Sequence, residues 1–459
     1  MNLRNLKFAG SFFPKDPVAL HDLLDSFDTE LSHKNAVTQT PPIAIIAPHA
    51  GYQFSGKLAA AAYASCGPQR PERIVILSPS HRCRFDGIAV AGYHAYDVAG
   101  QVLPLDEDLR RDLVSRGWVQ HHDAAHEDEH GIETQLPFIS RRFKGARVLP
   151  LVIGNTTPQA VAAVIDHIVS KVQEKLWFVL SSDLRHFHDH DAAQKLDAQA
   201  AGLIETGQFD GLGPTLACGH LAIAGFLASA AGQATRVLRL AMSDSFAVTQ
   251  DAKRVVGYGA WAFFPTECEI LSPIHRETLL RVARQGTGMF LNAGRKPHIM
   301  LNSFAAPLQG YMPCFITLTH NDRLRGCIGS LAACAPLISD AVANGIKAAT
   351  GDPRFTPLKT GQQLAQLRMK VAVLSRAAAL EFDNQDDLLS QITPGVSGLI
   401  LQCGKRRGTF LPMVWDSLPE RKSFLDALKV KAGLTTDFWS EDIKVLQFHA
   451  ESFADPPKA

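Results

Sequence analysis

PPIAIIAPHAGYQFSG, residues 41–56, decides the fold. Residues 43–47 are an apolar run of strand length with branched side chains, and the run stops at Pro48. His49 follows at once, then an alanine-rich segment, residues 57–64, with the composition of a helix. A buried strand feeding a turn and a helix is one βα unit of a parallel sheet. In open α/β sheets ligands collect just past the carboxyl ends of the strands, which is where His49 stands.

The layout recurs. Residues 73–77, RIVIL, run into Ser78-Pro79-Ser80-His81. Residues 176–180, LWFVL, run into SSDLRH, which carries Asp183 and His186. One strand-end histidine is an ordinary turn residue; three in one parallel sheet converge on one crevice. Further strands are expected at 86–91, 148–153, 237–242 and 254–264, with helices at 158–172 and 192–205. The N-terminal part is therefore read as α/β, a largely parallel sheet flanked by helices.

Two other stretches carry chemistry. In HHDAAHEDEHGIETQLPF, residues 121–138, His122, His126 and His130 are four apart, with Glu133 three further on. One reading is a metal-binding helix face. The other is a solvated, charge-rich loop before a helix starting near Ile132, and it is preferred for His121, His122 and His126. His130 with Glu133 remains a candidate pair, because it abuts the apolar Leu136-Pro137-Phe138. In PTLACGHLAIAGFLASAA, residues 214–231, a small-residue helix is expected to start at or just after Cys218. A thiolate at a helix N-terminus is stabilised by unpaired N–H groups, so Cys218 is the cysteine singled out as ligand or reactive group.

The chain has 459 residues, too many for one ordinary core, so two domains are expected. A formal net charge of +1 gives no electrostatic reason to expect nucleic acid or an anionic membrane as partner. No apolar run approaches the roughly 18 residues of a membrane span, and no secretory signal is visible at the N-terminus. Eight cysteines without a CxxC pair fit a reducing, cytoplasmic setting rather than a zinc ribbon or disulfide scaffold. The polar stretch 32–40 leads into the His49 unit. A linker is expected at 265–273, giving domains at 1–265 and 272–459.

The second half mixes short strands and helices without βα alternation and reads as α+β. Residues 313–331 have the alternation of a β-hairpin turning at residues 320–323. Cys327, in Arg325-Gly326-Cys327-Ile328-Gly329, is either a reactive thiol or a core residue of a bulged hairpin. Neither glycine-rich phosphate fingerprint is present.

Residues 4–264 resemble the Memo family, through FAGSFFP, APHAGYQFSG, LSPSH, EHGIETQLPF, SSDLRHF, ACGHLAI and VVGYGAWAFF. Residues 272–453 resemble the AMMECR-type domain, through LRGCIGSL, DPRFTPL, GLILQCGKRRGTFLP and KAGLTTDFW. The pairing resembles fusions of the AmmeMemoRadiSam system, which implies a radical-SAM protein as partner. The Memo resemblance implies a fold similar to class III extradiol dioxygenases. It implies metal ligation by His49 and His81, Cys218 at the position of the dioxygenase glutamate, and His186 as acid/base. A two-His, one-carboxylate face suits Fe(II), whereas a thiolate in its place favours softer ions such as copper or zinc; copper or iron is expected, with zinc as the alternative. Gly131 and Arg185 each stand where serine is usual, and Arg185 is a possible extra cation at the pocket.

The roles that follow are physical. His49 and His81 ligate through neutral imidazole nitrogens and each needs an acceptor to set its tautomer. Asp183 is read as that acceptor or as a ligand, and His186, one helical turn on, as a base it orients. His130 and Glu133 line the other wall. Tyr52 is a proton donor or a packed ring. The function expected is a metal-dependent oxidoreductase or dioxygenase-like protein acting on an unidentified small molecule. The alternatives are a zinc-type hydrolase and a non-catalytic redox partner.

Overall fold

The computed structural model describes residues 2–32, 40–68 and 70–456, so most of the polar stretch 32–40 lies outside the described residues. The chain divides into two compact units. The first comprises residues 1–265, 270–272 and 305–310; the second comprises 266–269, 273–304 and 311–459. Among the described residues no helix is long and apolar enough to cross a membrane.

The first unit is built on an eight-stranded, mostly parallel sheet. Its spatial order is Thr235–Asp244, Gly257–Pro265, Ala44–Ala47, Leu176–Ser181, Arg73–Pro79, Arg147–Ile153, Ile88–Val90 and Gln120–His121. Ala44–Ala47, Leu176–Ser181, Arg73–Pro79 and Arg147–Ile153 run parallel. Gly257–Pro265 is antiparallel to its two neighbours. The parallel strands are fully apolar because helices cover both faces, and Ile45, Ile46, Val75, Leu77, Val179 and Leu180 have no accessible surface. Side by side at the centre are the three strands whose ends carry His49, Ser181 and His81. Ala47 lies opposite Ser181, so His49 and His81 emerge on either side of the strand that ends in Ser181.

The helices follow local rules with some shifts. Pro17–Ser32 starts where the Asp16 carboxylate accepts the Ala19 N–H at 2.8 Å, and it buries Leu20, Leu24 and Phe27. The helix after His49 starts at Tyr52, five residues earlier than composition suggested. Residues 121–138 form two short helices, Asp123–Glu127 and His130–Glu133, so His122, His126 and His130 do not share one helical face. The expectation of a helix start near Ile132 is corrected to His130.

One further expectation is overturned here, that His186 stands one helical turn from Asp183. Segment 183–188 is not helical, because Leu184, Arg185, Phe187 and His188 exchange backbone hydrogen bonds with residues 255 and 257, and Phe187 turns at φ 62°. His186 is therefore not one helical turn from Asp183. The small-residue helix is His220–Ala228 with Gly219 as its cap, so it starts just after Cys218, as expected, and leaves Cys218 outside its first turn. Gly219 makes this arrangement possible. A Cβ there would lie 2.6 Å from both the Ser181 carbonyl oxygen and the Ser182 Cβ, so only glycine lets the Cys218 turn rest on that strand end.

The second unit holds two antiparallel four-stranded sheets. One has the order Arg323–Gly329, Cys314–His320, Arg368–Leu374, Ala450–Ala454; the other Ala378–Leu380, Lys444–Phe448, Gly398–Cys403, Arg406–Phe410. The expected hairpin is present, with Asn321 and Asp322 at φ 49° and 59° in a two-residue turn.

Gly219→Ala should test the close approach. With backbone on one side of the added methyl, relief requires moving the turn, and a cost of about 1–3 kcal/mol is expected, as for overpacking. Thermal denaturation of the full chain checks this, and iodoacetamide labelling should find Cys218 more reactive as its turn lifts.

Candidate metal centre

Three imidazoles meet beyond the central strands. His49, His81 and His130 each offer a ligand atom, all within 4.8 Å of one another; among the described residues this is the one such cluster. Their ring centroids are 5.0 Å (His49–His81), 5.2 Å (His49–His130) and 4.4 Å (His81–His130) apart. His49 is buried, and His81 and His130 are half-buried. The Phe12 ring packs on His130 at 4.7 Å and closes that side.

The hydrogen bonds around the rings determine which nitrogen each presents. The Ser181 hydroxyl donates to the Gly131 carbonyl at 2.6 Å and accepts from Gln135 Nε2 at 3.0 Å. Its one proton is thus engaged, so at 2.9 Å from His49 Nδ1 it accepts the ring N–H. That leaves His49 Nε2 with the lone pair. On the other side Glu129 Oε1 accepts from His81 Nδ1 at 2.7 Å, and Oε2 accepts from the His81 backbone N–H at 2.8 Å. This leaves His81 Nε2 as the ring's other nitrogen, buried without a hydrogen-bond partner. A buried, unpartnered imidazole nitrogen facing two others is what a cation site requires, and a carboxylate behind a ligand histidine is its usual support.

Burial, and after it the neighbouring imidazoles, holds His49 well below its ordinary pKa. The same causes bring His130 down to about 4, with Glu129 pulling the other way. Burial pushes the Glu129 carboxyl up, yet hydrogen bonds from the His81 ring and amide bring it below its ordinary value overall. His49 and His130 are therefore neutral near pH 7, the form a metal takes.

Cys218 reaches the lone-pair nitrogen of His49, with Sγ 3.2 Å from His49 Nε2. Sγ also accepts the Asp183 N–H at 3.2 Å. Burial and the Asp183 charge push this thiol up, which corrects the expectation of a thiol acidified by a helix terminus. The physical reason is that Cys218 precedes the helix, so the loss of solvation and the Asp183 charge outweigh the N–H groups of Asp183 and Gly219. A cavity of about 520 Å³ opens against Cys218, walled by Cys83, Arg84, Phe85, Asn155 and His220, within the size range of small-molecule sites. The three imidazoles do not line it.

Other expected site residues sit as follows. Asp183 Oδ1 accepts the His49 backbone N–H at 2.8 Å, and Oδ2 is 4.0 Å from His49 Nε2. It thus holds the His49 backbone; the tautomers are set by Ser181 and Glu129 instead. Burial raises the Asp183 carboxyl to about 7, against backbone hydrogen bonds that lower it. His186 is exposed, with its ring 5.7 Å from that of Phe187, and loss of solvation, then the His81 and Arg185 charges, hold its pKa below the ordinary value. Glu133 does not line the pocket wall; it takes Arg4 at 2.9 Å and the Phe8 amide at 3.0 Å, tying down the N-terminal segment. His126, expected in solvent, is buried and donates from Nε2 to the Ala89 carbonyl at 3.1 Å. Arg185 adds no cation to the pocket: it is buried, bonded to the Ala193 and Val255 carbonyls and to Asp197. Tyr52 is packed, its hydroxyl donating to Thr134 O at 2.7 Å. At Gly131 a Cβ would meet Ser78 Oγ at 2.4 Å and His49 Nδ1 at 3.1 Å, so this chain fills the place of the usual serine side chain with its own Ser78.

Glu129, Ser181 and Gln135 are the site residues that sequence reasoning passed over. The one available signal was the carboxylate next to His130 in EHGIETQ, a charge too close to an apolar run to be solvated.

Comparisons with known proteins identify the two regions of the chain. Residues 4–262 match the family described as Memo-like protein, and residues 280–453 match the family described as AMMECR1. The chain belongs to the Memo family, with an AMMECR1 region following the Memo region. It is similar to the MEMO1 family protein MK0963 of Methanopyrus kandleri, 31% identical over 57% of this chain and 98% of that protein. It is also similar to a MEMO1 family protein of Aquifex aeolicus, 32% identical over 43% of this chain and 72% of the relative. Among solved structures, an uncharacterized protein from Pyrococcus horikoshii, PH0010, is 32% identical over 39% of this chain and 91% of its own, with a TM-score of 0.37.

The donor set fits a bound metal, and its proton count identifies the ligands. At about pH 8, above the ordinary imidazole range, ligation by histidines alone releases no proton, whereas a ligating thiol releases about one. Calorimetry in two buffers of different ionisation enthalpy should find about one proton released by the wild type and none by Cys218→Ser. Glu129→Ala should weaken metal binding roughly 10–100-fold by removing the support behind His81, measured by competition with a chromophoric chelator.

Proposed function

We propose that the first unit is a metal-dependent oxidoreductase with a dioxygenase-like pocket, acting on a small molecule. His49, His81 and His130 hold the ion, and Cys218 is its soft ligand. The observation that carries this reading is the Cys218 sulfur 3.2 Å from the lone-pair nitrogen of His49, beside two further imidazoles. Imidazoles with a thiolate suit copper better than a hard ion, with iron next. The bound ion would supply one-electron chemistry. The substrate would enter by the cavity against Cys218.

The chain's own groups handle protons. Asp183 has Oδ1 fixed by the His49 amide and Oδ2 near the rings, and its carboxyl, raised to about 7, can take or give a proton at neutral pH. The exposed His186 exchanges protons with water. A radical-SAM protein is the partner proposed for this chemistry, on the pairing of Memo and AMMECR1 regions alone.

A zinc-type hydrolase is the second reading. It is favoured by His130, since three imidazoles with an open position are also a catalytic zinc set.

Metal preference separates the two. The full chain is titrated anaerobically with Cu(I), Fe(II) and Zn(II) against chelators, and oxygen uptake with ascorbate is followed by electrode. The oxidoreductase reading expects one copper site, at least about tenfold weaker in Cys218→Ser, a loss of roughly 1.4 kcal/mol or more, with oxygen uptake that the variant loses. Zinc bound in preference to copper, unaffected by Cys218→Ser and without oxygen uptake, establishes the hydrolase reading instead.

A further inference from the structure

The second unit carries a cavity that the metal chemistry does not use. It measures about 580 Å³ and lies between the Cys314–His320/Arg323–Gly329 hairpin and residues 407–417, within the size range of small-molecule sites. Its walls divide by chemistry. Phe315, Leu331 and Leu411 form an apolar side, continuous with the small core between the two sheets. Arg354, Arg407 and Lys431 form a cationic side. Cys327 sits between the two.

The charges are not balanced. Asp352 is the carboxylate at hand, and it is already engaged. It accepts Arg354 Nε at 2.9 Å and Nη2 at 2.7 Å, and the Cys327 N–H at 2.8 Å. Among the described residues neither Arg407 nor Lys431 has a carboxylate within ion-pair distance. Lys431 Nζ donates to the Thr409 carbonyl at 2.7 Å and stands 4.9 Å over the Phe410 ring. Partial burial, and after it the Arg354 charge, holds its ammonium below the ordinary value, with Cys327 acting the other way. A cavity with one apolar side and one cationic side, on which Arg407 and Lys431 lack a carboxylate partner, is complementary to a ligand with an apolar body and an acid group.

We propose that this cavity binds a small organic anion, its acid group held by Arg354, Arg407 and Lys431 and its apolar body lying on Phe315, Leu331 and Leu411. Asp352 positions Arg354 and the Cys327 backbone. The Thr317 hydroxyl donates to Cys327 Sγ at 3.2 Å, holding the thiol at the floor beneath the bound ligand.

Cys327 reports on occupancy, and the exposed Cys334 is its internal standard. The full chain is alkylated with iodoacetamide and mapped by peptide mass spectrometry, alone and with phenyl phosphate, benzoate or inorganic phosphate. Calorimetry follows the same three probes. At about ten times its Kd, phenyl phosphate or benzoate should slow Cys327 alkylation roughly tenfold and leave Cys334 unchanged. The better of the two identifies the acid group as phosphate or carboxylate. Inorganic phosphate, lacking the apolar body, should bind at least about tenfold more weakly than phenyl phosphate, a difference of roughly 1.4 kcal/mol. Arg407→Gln/Lys431→Gln, both at the rim, should abolish protection and calorimetric binding with the fold intact. The proposal is overturned if neither organic anion binds or protects at millimolar concentration. It is equally overturned if protection survives in the double variant, or if inorganic phosphate matches phenyl phosphate.

Discussion

A buried neutral imidazole has one N–H, and where that hydrogen goes decides what the other nitrogen can do. In this chain the Ser181 hydroxyl takes the His49 hydrogen and the Glu129 carboxylate takes that of His81. Both acceptors are buried, and neither can turn away without leaving a polar group unsatisfied, at about 1–3 kcal/mol. Gln135 and the Gly131 carbonyl in turn occupy the remaining capacity of Ser181. The sheet order follows the same need: the strand ending in Ser181 has to lie between those that deliver His49 and His81. The rings are thus set by the framework.

Much of this fold was legible because its signals are local. The runs IAIIA, RIVIL and LWFVL are long, branched and apolar, and they are the three central strands. A strand that ends in a histidine announces where that histidine goes, once the sheet is known to be parallel. The hairpin of the second unit was legible for the same reason, by alternation and a polar two-residue turn. His130 was picked out, though as a wall rather than as the third imidazole of the cluster.

What could not be read depends on contacts distant in the chain. Glu129 matters because a strand end 48 residues earlier brings His81 to it, and Ser181 because His49 arrives from 132 residues away. His126 looks solvated among charged neighbours, but the Ala89 carbonyl waits for it in the fold. The expectation for Cys218 applied a local rule, the helix terminus, where burial was the larger effect. Asp183 and His186 were linked through an assumed helical turn, and pairing with residues 255 and 257 keeps that segment out of a helix instead.

The contact between His49 and Cys218 joins positions 169 residues apart. On a ribosome, the first of these side chains leaves the exit tunnel long before the second has been made. During that interval His49 and His81 can be present without Ser181, Gln135 or Cys218 to orient or complete them. With the ligand set proposed above, a nascent chain would have no means of discriminating one metal from another until residue 218 has been translated and has emerged. Selectivity would then be a property of the finished sheet, and any ion taken up earlier would be held by loosely oriented imidazoles that favour whatever metal is most abundant nearby.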